Sequence, residues 1–200
     1  MDNQLATKDL IDVKRVLDSL GVQFFLGYGV VLGIIREKDF IPFDDDIDII
    51  ITQPITYKKR KEIGYLLFDI GFHGWDDVVW NVYGRYEKAE GGYNGTEKTG
   101  IIPCKRNVPI SIMFYFDNGD EWLCIPKRGG IPVLAVPKKF LEKGRWVKFK
   151  GEKFLIPDPT IEYLEFLYGK DWKIPKEGEH AKQYWQIHDK VKLAEKYFEL

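Results

Sequence analysis

Little in this chain points to a stapled, membrane-spanning or strongly charged protein. Only two cysteines occur in 200 residues, Cys104 and Cys124. Two cannot build a disulfide framework, and they lack the spacing of zinc ligands or of a redox pair, so both are expected as reduced strand or core residues. No apolar run approaches the roughly 20 residues that cross a bilayer. The first ten residues hold no apolar signal region, and a cytoplasmic protein without a transmembrane segment is expected. The formal net charge of −1 gives no bulk attraction for nucleic acid or an anionic membrane, so neither is an expected partner. His73, His180 and His188 are scattered without metal-ligand spacing. No internal repeat or low-complexity tract is present.

What the chain does have is apolar and aromatic material. Hydrophobic residues make up 44% and aromatics 15%, enough for a real core with large flat surfaces. Apolar positions at helical spacing predict a helix over residues 7–20, with Thr7 as its cap and Gly21 as its stop. A short buried strand over 22–26 follows, then a glycine-bounded helix start. Further helices are predicted over 55–70, 157–168 and 180–198. Strands are predicted over 46–52, 78–87, 108–116, 121–125, 145–150 and 153–156. Residues 117–120, Asp-Asn-Gly-Asp, read as a hairpin turn, and the glycine cluster at 91–95 reads as a loop. This order predicts an α+β domain with a mixed sheet, followed by a C-terminal helical piece.

The chemical signal lies in residues 44–51, Asp-Asp-Asp-Ile-Asp-Ile-Ile-Ile. Alternate residues of a strand share a face, so Asp46 and Asp48 point one way while Ile47, Ile49 and Ile51 point the other. Asp44 joins the acid face if the extended backbone begins early. Residues two apart on a strand lie roughly 6.5 Å apart, close enough for leaning carboxylates to share a hard cation. Carboxylate oxygens suit magnesium or manganese. A solvated acidic turn accounts for Asp44 and Asp45, but an acid pair inside an apolar strand calls for a metal.

Just upstream, a strand runs into Gly27, Gly29 and Gly33 and then into helix. Free N–H groups at a helix start attract phosphate, and glycines let backbone approach a ligand closely. Arg36 follows and offers a forked donor pair. Metal-bridged phosphate oxygens, helix N–H groups and an arginine together suit phosphoryl transfer.

The run FFLGYGVVLGIIREKDFIPFDDDIDI resembles the signature of the LicD family of phosphocholine and fukutin-type phosphoribitol transferases. Gly29, Leu32, Gly33 and Arg36 match its first part. Ile41, Pro42, Asp44, Asp45, Asp46, Ile47, Asp48 and Ile49 match its second. A later stretch, YLEFLYGKDW at 163–172, is similar to the family's Y-L-x-x-x-Y-G-x-x-W segment. The resemblance implies a nucleotidyltransferase-like core over residues 1–157 with a helical segment over 158–200 packed on it. It implies a Mg2+- or Mn2+-dependent transfer of a phospho-linked group from a CDP-linked donor to a saccharide or glycan. By position, Asp44, Asp46 and Asp48 would hold the metal. Gly29, Val30, Gly33 and Arg36 would sit by the donor phosphates, with Asp46, Asp48 and Arg36 catalytic.

Three residues depart from the pattern. Val30 stands where the family has threonine, and Phe43 replaces tryptophan. Ser111 falls where the family often has a further aspartate, with Asp117 as a distant substitute or simply a turn residue. Two other readings therefore stay open: a nucleotidyltransferase adding an NMP to a small hydroxylated molecule, and a non-catalytic nucleotide- or sugar-phosphate-binding relative.

Overall fold

A computed structural model describes residues 2–42, 44, 46–72, 79–83, 109–124, 133–176 and 185–186. Helix α1 spans Asn3–Ser19 and begins earlier than predicted. The Asp2 carboxylate accepts the Gln4 and Leu5 N–H groups at 3.0 and 3.2 Å, so it takes the capping role assigned to Thr7. Thr7 lies inside the helix, its hydroxyl donating to the Asn3 carbonyl at 2.6 Å. The helix does stop at Gly21, whose φ is +66°.

Strand β1 (Phe25–Leu26) leads through Gly27 into α2 (Tyr28–Arg36). After a loop comes β2 (Ile47–Ile51), then α3 (Tyr57–Asp69) with Thr56 as its cap. Strands β3 (Val79–Tyr83), β4 (Pro109–Phe114), β5 (Phe116–Asp117), β6 (Glu121–Cys124) and β7 (Val133–Pro137) follow. Strands β8 (Gly144–Phe149) and β9 (Glu152–Pro157) precede α4 (Thr160–Tyr168), and β10 covers Trp185–Gln186.

Two sheets result. The larger runs β3-β4-β2-β1-β9-β8 and the smaller runs β10-β7-β6-β5. The larger is mixed: β2 lies parallel to β4 and β1 parallel to β9, while the remaining neighbours are antiparallel. This is the expected mixed sheet flanked by helices. The β8–β9 hairpin turns on Lys150 and Gly151, with φ of +50° and +86°, the paired left-handed turn that matches strand twist. The predicted turn at 117–120 is present, closed by the Asn118 N–H on the Glu121 carbonyl at 2.9 Å.

Three further differences from the sequence reading are local. The fourth helix starts at Thr160 with Pro159 rather than Asp158 at its cap position. Strand β7 was not predicted. Trp185–Gln186, expected within a helix over 180–198, is extended and pairs antiparallel with β7, because the apolar edge of β7 offers backbone partners that outweigh helix propensity. The rest of that stretch, the glycine cluster at 91–95 and the ends of the strand predicted over 78–87 lie outside the described residues. Ile47, Ile49, Ile51, Ile110 and Ile112 are completely buried and join Leu10, Val13 and Leu17 of α1 in one core. Helix α1 packs on α3, and α2 packs on β2 and α4. No helix among the described residues is long and apolar enough to cross a membrane.

Candidate functional site

The parity expected of β2 is present. Ile47, Ile49 and Ile51 have no exposure, whereas Asp48 between them is only half-buried. Ile50, on the Asp48 side but one step deeper, is buried beneath Gly27, where a Cβ would meet its Cγ1 at 3.0 Å. The acid face therefore belongs to the start of the strand alone. Ser111 on β4 stands in register with Asp48, and Asn81 on β3 in register with Ser111. Ser111 is buried, and its hydroxyl lies 3.5 Å from Asp46 Oδ2. The serine thus takes the place on the neighbouring strand where the resemblance implied a further aspartate. Asp117 is exposed on the hairpin turn, takes the Gly119 N–H at 3.0 Å and pairs with Lys138 Nζ at 2.7 Å.

The strand meets the helix start through backbone. The Gly27 N–H donates to the Asp48 carbonyl at 2.9 Å, which fixes the entrance of α2 beside Asp48. At Gly29 a Cβ would collide with the Asp44 carboxylate, so this glycine is what lets Asp44 lie against the first turn. Asp44 thus lies against the first turn of α2, Asp48 is tied by its carbonyl to Gly27 at the entrance of that helix, the mouth of the candidate site, and Asp46 lies by Ser111. Gly29 and Val30 occupy the first turn, whose N–H groups have no partner within the helix. The Val30 side chain is buried in the core, leaving its N–H as the group able to meet an anion.

Gly33 and Arg36 are placed differently. A Cβ on Gly33 would meet the Asp39 carbonyl oxygen at 2.5 Å and the Ile41 nitrogen at 3.1 Å, so this glycine seats the following loop. Arg36 is at the far end of α2, roughly 10 Å along the axis from Gly29 at 1.5 Å per residue. It is nearly buried and bonds the Glu37 carboxylate at 2.7 Å and the Trp172 carbonyl at 2.9 Å. The described geometry thus engages the signature arginine with the later YLEFLYGKDW stretch.

Two supports of the mouth were not legible as functional. The first is a cluster of buried tyrosines. Tyr28 has φ +44°, a conformation costing an ordinary residue roughly 1–2 kcal/mol. Its N–H donates to the Tyr163 hydroxyl at 3.2 Å, and its own hydroxyl bonds that of Tyr115. Burial first, then neighbouring tyrosines and Asp48, push the Tyr28 hydroxyl well above its ordinary range. Tyr115 is raised chiefly by burial too, so both hydroxyls stay neutral. Tyr28 is a buried packing residue. The second support is Asp39, which pairs with Lys150 at the β8–β9 turn. Beside it Phe40 packs edge-on against Phe149, ring centres 5.0 Å apart. The carboxylate loop is pinned there. The one available signal for either was a bulky residue between glycines at Tyr28.

Cys124 is a free, buried thiol on β6, with burial raising its pKa. Phe43, Asp45, Cys104, Lys105, Arg106 and the three histidines lie outside the described residues. Among the described residues, no group of three or more His, Cys, Asp or Glu is gathered as a ready metal cage. The donor chemistry at the mouth still fits magnesium, which is commonly held by one or two carboxylates with substrate phosphates and water completing its shell. Asp46 and Asp48 would supply such an oxygen pair.

The profile described as LicD/FKTN/FKRP, nucleotidyltransferase domain, matches residues 21–159. The chain is similar to ribitol-5-phosphate transferase FKTN of Homo sapiens, 28% identical over 187 aligned positions, covering 85% of this chain and 34% of that protein. It is likewise similar to the FKTN of Mus musculus, 27% identical over 175 positions, covering 84% and 33%. The chain thus spans about a third of the length of these curated relatives. Among solved structures, ANT(2")-Ia in complex with adenylyl-2"-tobramycin aligns with a TM-score of 0.44 at 12% identity, covering 84% of this chain and 78% of that one.

Proposed function

This chain belongs to the LicD/FKTN/FKRP nucleotidyltransferase-domain family, and from that premise we propose that it transfers a phospho-linked group from a CDP-activated donor to a saccharide hydroxyl. The group is of phospho-alditol or phosphocholine type. The acceptor oxygen forms a bond to the donor phosphorus that carries the alditol or choline. The bond from that phosphorus to the bridging oxygen breaks, CMP leaves with the electron pair, and the acceptor proton is released to solvent.

The observation that carries this reading is the Asp46–Asp48 face opening beside the first turn of α2. Asp46 and Asp48, with Asp44 beside them, would hold Mg2+ or Mn2+. A bound divalent ion supplies positive charge to the donor's phosphate oxygens. The Gly29 and Val30 N–H groups add the partial positive charge of a helix start. Phosphoryl transfer demands position and charge more than a protein nucleophile, and this mouth offers both.

Ser111 favours a second reading, a donor-binding relative that does not turn over, since a hydroxyl carries no charge toward a metal. The test is incubation with Mg2+ and either CDP-ribitol, CDP-choline or free NTPs, following CMP and pyrophosphate. CMP from a CDP donor supports transfer. Pyrophosphate from an NTP supports NMP transfer instead. Metal-dependent binding without either product supports the second reading. Asp46→Ala and Asp48→Ala should each abolish metal-dependent binding, and unchanged binding in both would remove the site assignment.

A further inference from the structure

We propose that Tyr163 is a positioning residue for the donor site, acting through Tyr28 on the first turn of α2. This rests on the reading of that turn as the donor-phosphate cradle. Tyr163 lies on α4, beyond residue 159 where the family match ends. It is completely buried, and its hydroxyl accepts the Tyr28 N–H at 3.2 Å. Tyr28 is the first residue of α2 and the only described non-glycine position in that helix with positive φ. A left-handed residue at a helix start persists only where its surroundings hold it there. The holding groups come from two distant parts of the chain: Tyr163 on the backbone N–H and Tyr115 on the side-chain hydroxyl.

The consequence is directional. The next two N–H groups, on Gly29 and Val30, take their aim from the peptide planes that Tyr28 sets. The Tyr163 hydroxyl grips backbone rather than side chain, so it acts on that aim directly. Tyr115 grips the ring end and should bear on packing more than on aim. Tyr28, Tyr115 and Tyr163 are all buried, and the roles of Tyr115 and Tyr163 run through Tyr28.

The experiment compares Tyr163→Phe, Tyr163→His and Tyr115→Phe in the full chain. Affinities for Mn2+ alone and for CDP-ribitol with Mg2+ are measured by calorimetry. Amide exchange at Gly29 and Val30 is followed alongside, without donor. Tyr163→Phe is expected to bind CDP-ribitol about tenfold more weakly, the scale of one lost hydrogen bond, with Mn2+ affinity unchanged. Exchange at Gly29 and Val30 should quicken while that of β2 does not. Tyr163→His, whose shorter ring cannot carry a nitrogen to the position of the hydroxyl, should recover little of the affinity, and Tyr115→Phe should stay within about threefold of the parent. Equal losses in all three variants, or a fall in melting temperature with donor affinity and amide exchange unchanged, overturns the proposal. If the parent chain binds no CDP-ribitol, the function reading fails. The amide exchange then decides the role of Tyr163 by itself: local quickening upholds it, and none overturns it.

Discussion

Asp48 and Ser111 stand in register across the parallel pair β2–β4, so a buried hydroxyl faces the acid mouth from the neighbouring strand. Ser111 also lies 3.5 Å from Asp46 Oδ2. On the proposed reading, a serine there would leave Asp46 and Asp48 to hold the cation, and it avoids crowding a third negative charge into a buried position.

Ser111→Asp tests that balance. Without metal the new carboxylate is buried beside two others, and the variant should lose about 1–3 kcal/mol of stability. Mg2+ or Mn2+ should restore most of it. The melting temperature is measured with and without metal. A metal response no larger than the parent's would mean that Ser111 does not face the cation.

Gly29→Ala and Gly33→Ala should fail in different ways. Alanine at Gly29 displaces the Asp44 carboxylate, a side chain at the end of a loop that can move. Stability should change by less than about 1 kcal/mol because alanine favours the helix, while Mn2+-dependent nucleotide binding weakens. Alanine at Gly33 meets backbone, the Asp39 carbonyl oxygen at 2.5 Å, and should cost about 1–3 kcal/mol. Denaturation and nucleotide titration of both variants separate the two outcomes.

The Asp39–Lys150 pair should leave a mark on acid stability. Hydrogen bonding to Lys150 lowers the Asp39 pKa from 3.8, helped by the Phe40 N–H. A carboxyl lowered on folding contributes stability above its unfolded pKa and loses it as pH falls through the folded value. Lys150→Met should therefore be less stable than the parent at neutral pH and converge with it below about pH 4, the ordinary aspartate range. Asp39 is 46% exposed, so the difference should be at most about 1 kcal/mol. Denaturant midpoints from pH 7 to pH 2 provide the check.

Arg36→Ala should release the stretch that follows α4. It removes charge-assisted bonds to Glu37 and to the Trp172 carbonyl from a nearly buried position, at a cost of about 2–3 kcal/mol. Limited proteolysis should then cut within residues 169–176 faster than in the parent. Arg36→Lys should rescue little, since an ammonium cannot reproduce the fork. A proteolysis pattern unchanged in Arg36→Ala would argue against the clasp.

The sequence made β2 and its acid face legible because strand parity is local: Ile47, Ile49 and Ile51 against Asp46 and Asp48. The turn into α2 was legible from its glycines, although what each glycine accommodates was not. Gly29 meets a side chain and Gly33 a backbone carbonyl, a distinction set by where the following loop returns. Tyr163 and Lys150 were invisible as supports because their partners, Tyr28 and Asp39, lie far away in sequence. Strand β10 was misread as helix because its pairing with β7 outweighs the local pattern. The role of Arg36 was inferred from charge, whereas its described partners depend on the path taken after α4.

Strand β1 is only two residues long, and it sits between β2 on one side and β9 on the other, with Phe25 opposite both Ile50 and Leu155. The mouth of the site hangs from this short strand. During synthesis β9 emerges long after β1 and β2, and closing so long a loop slows folding. A nascent chain that has not reached Leu155 carries its carboxylate strand beside an unfinished edge. The site is thus expected to be among the last parts to take shape, and fragments ending before β9 should be aggregation-prone rather than partially active.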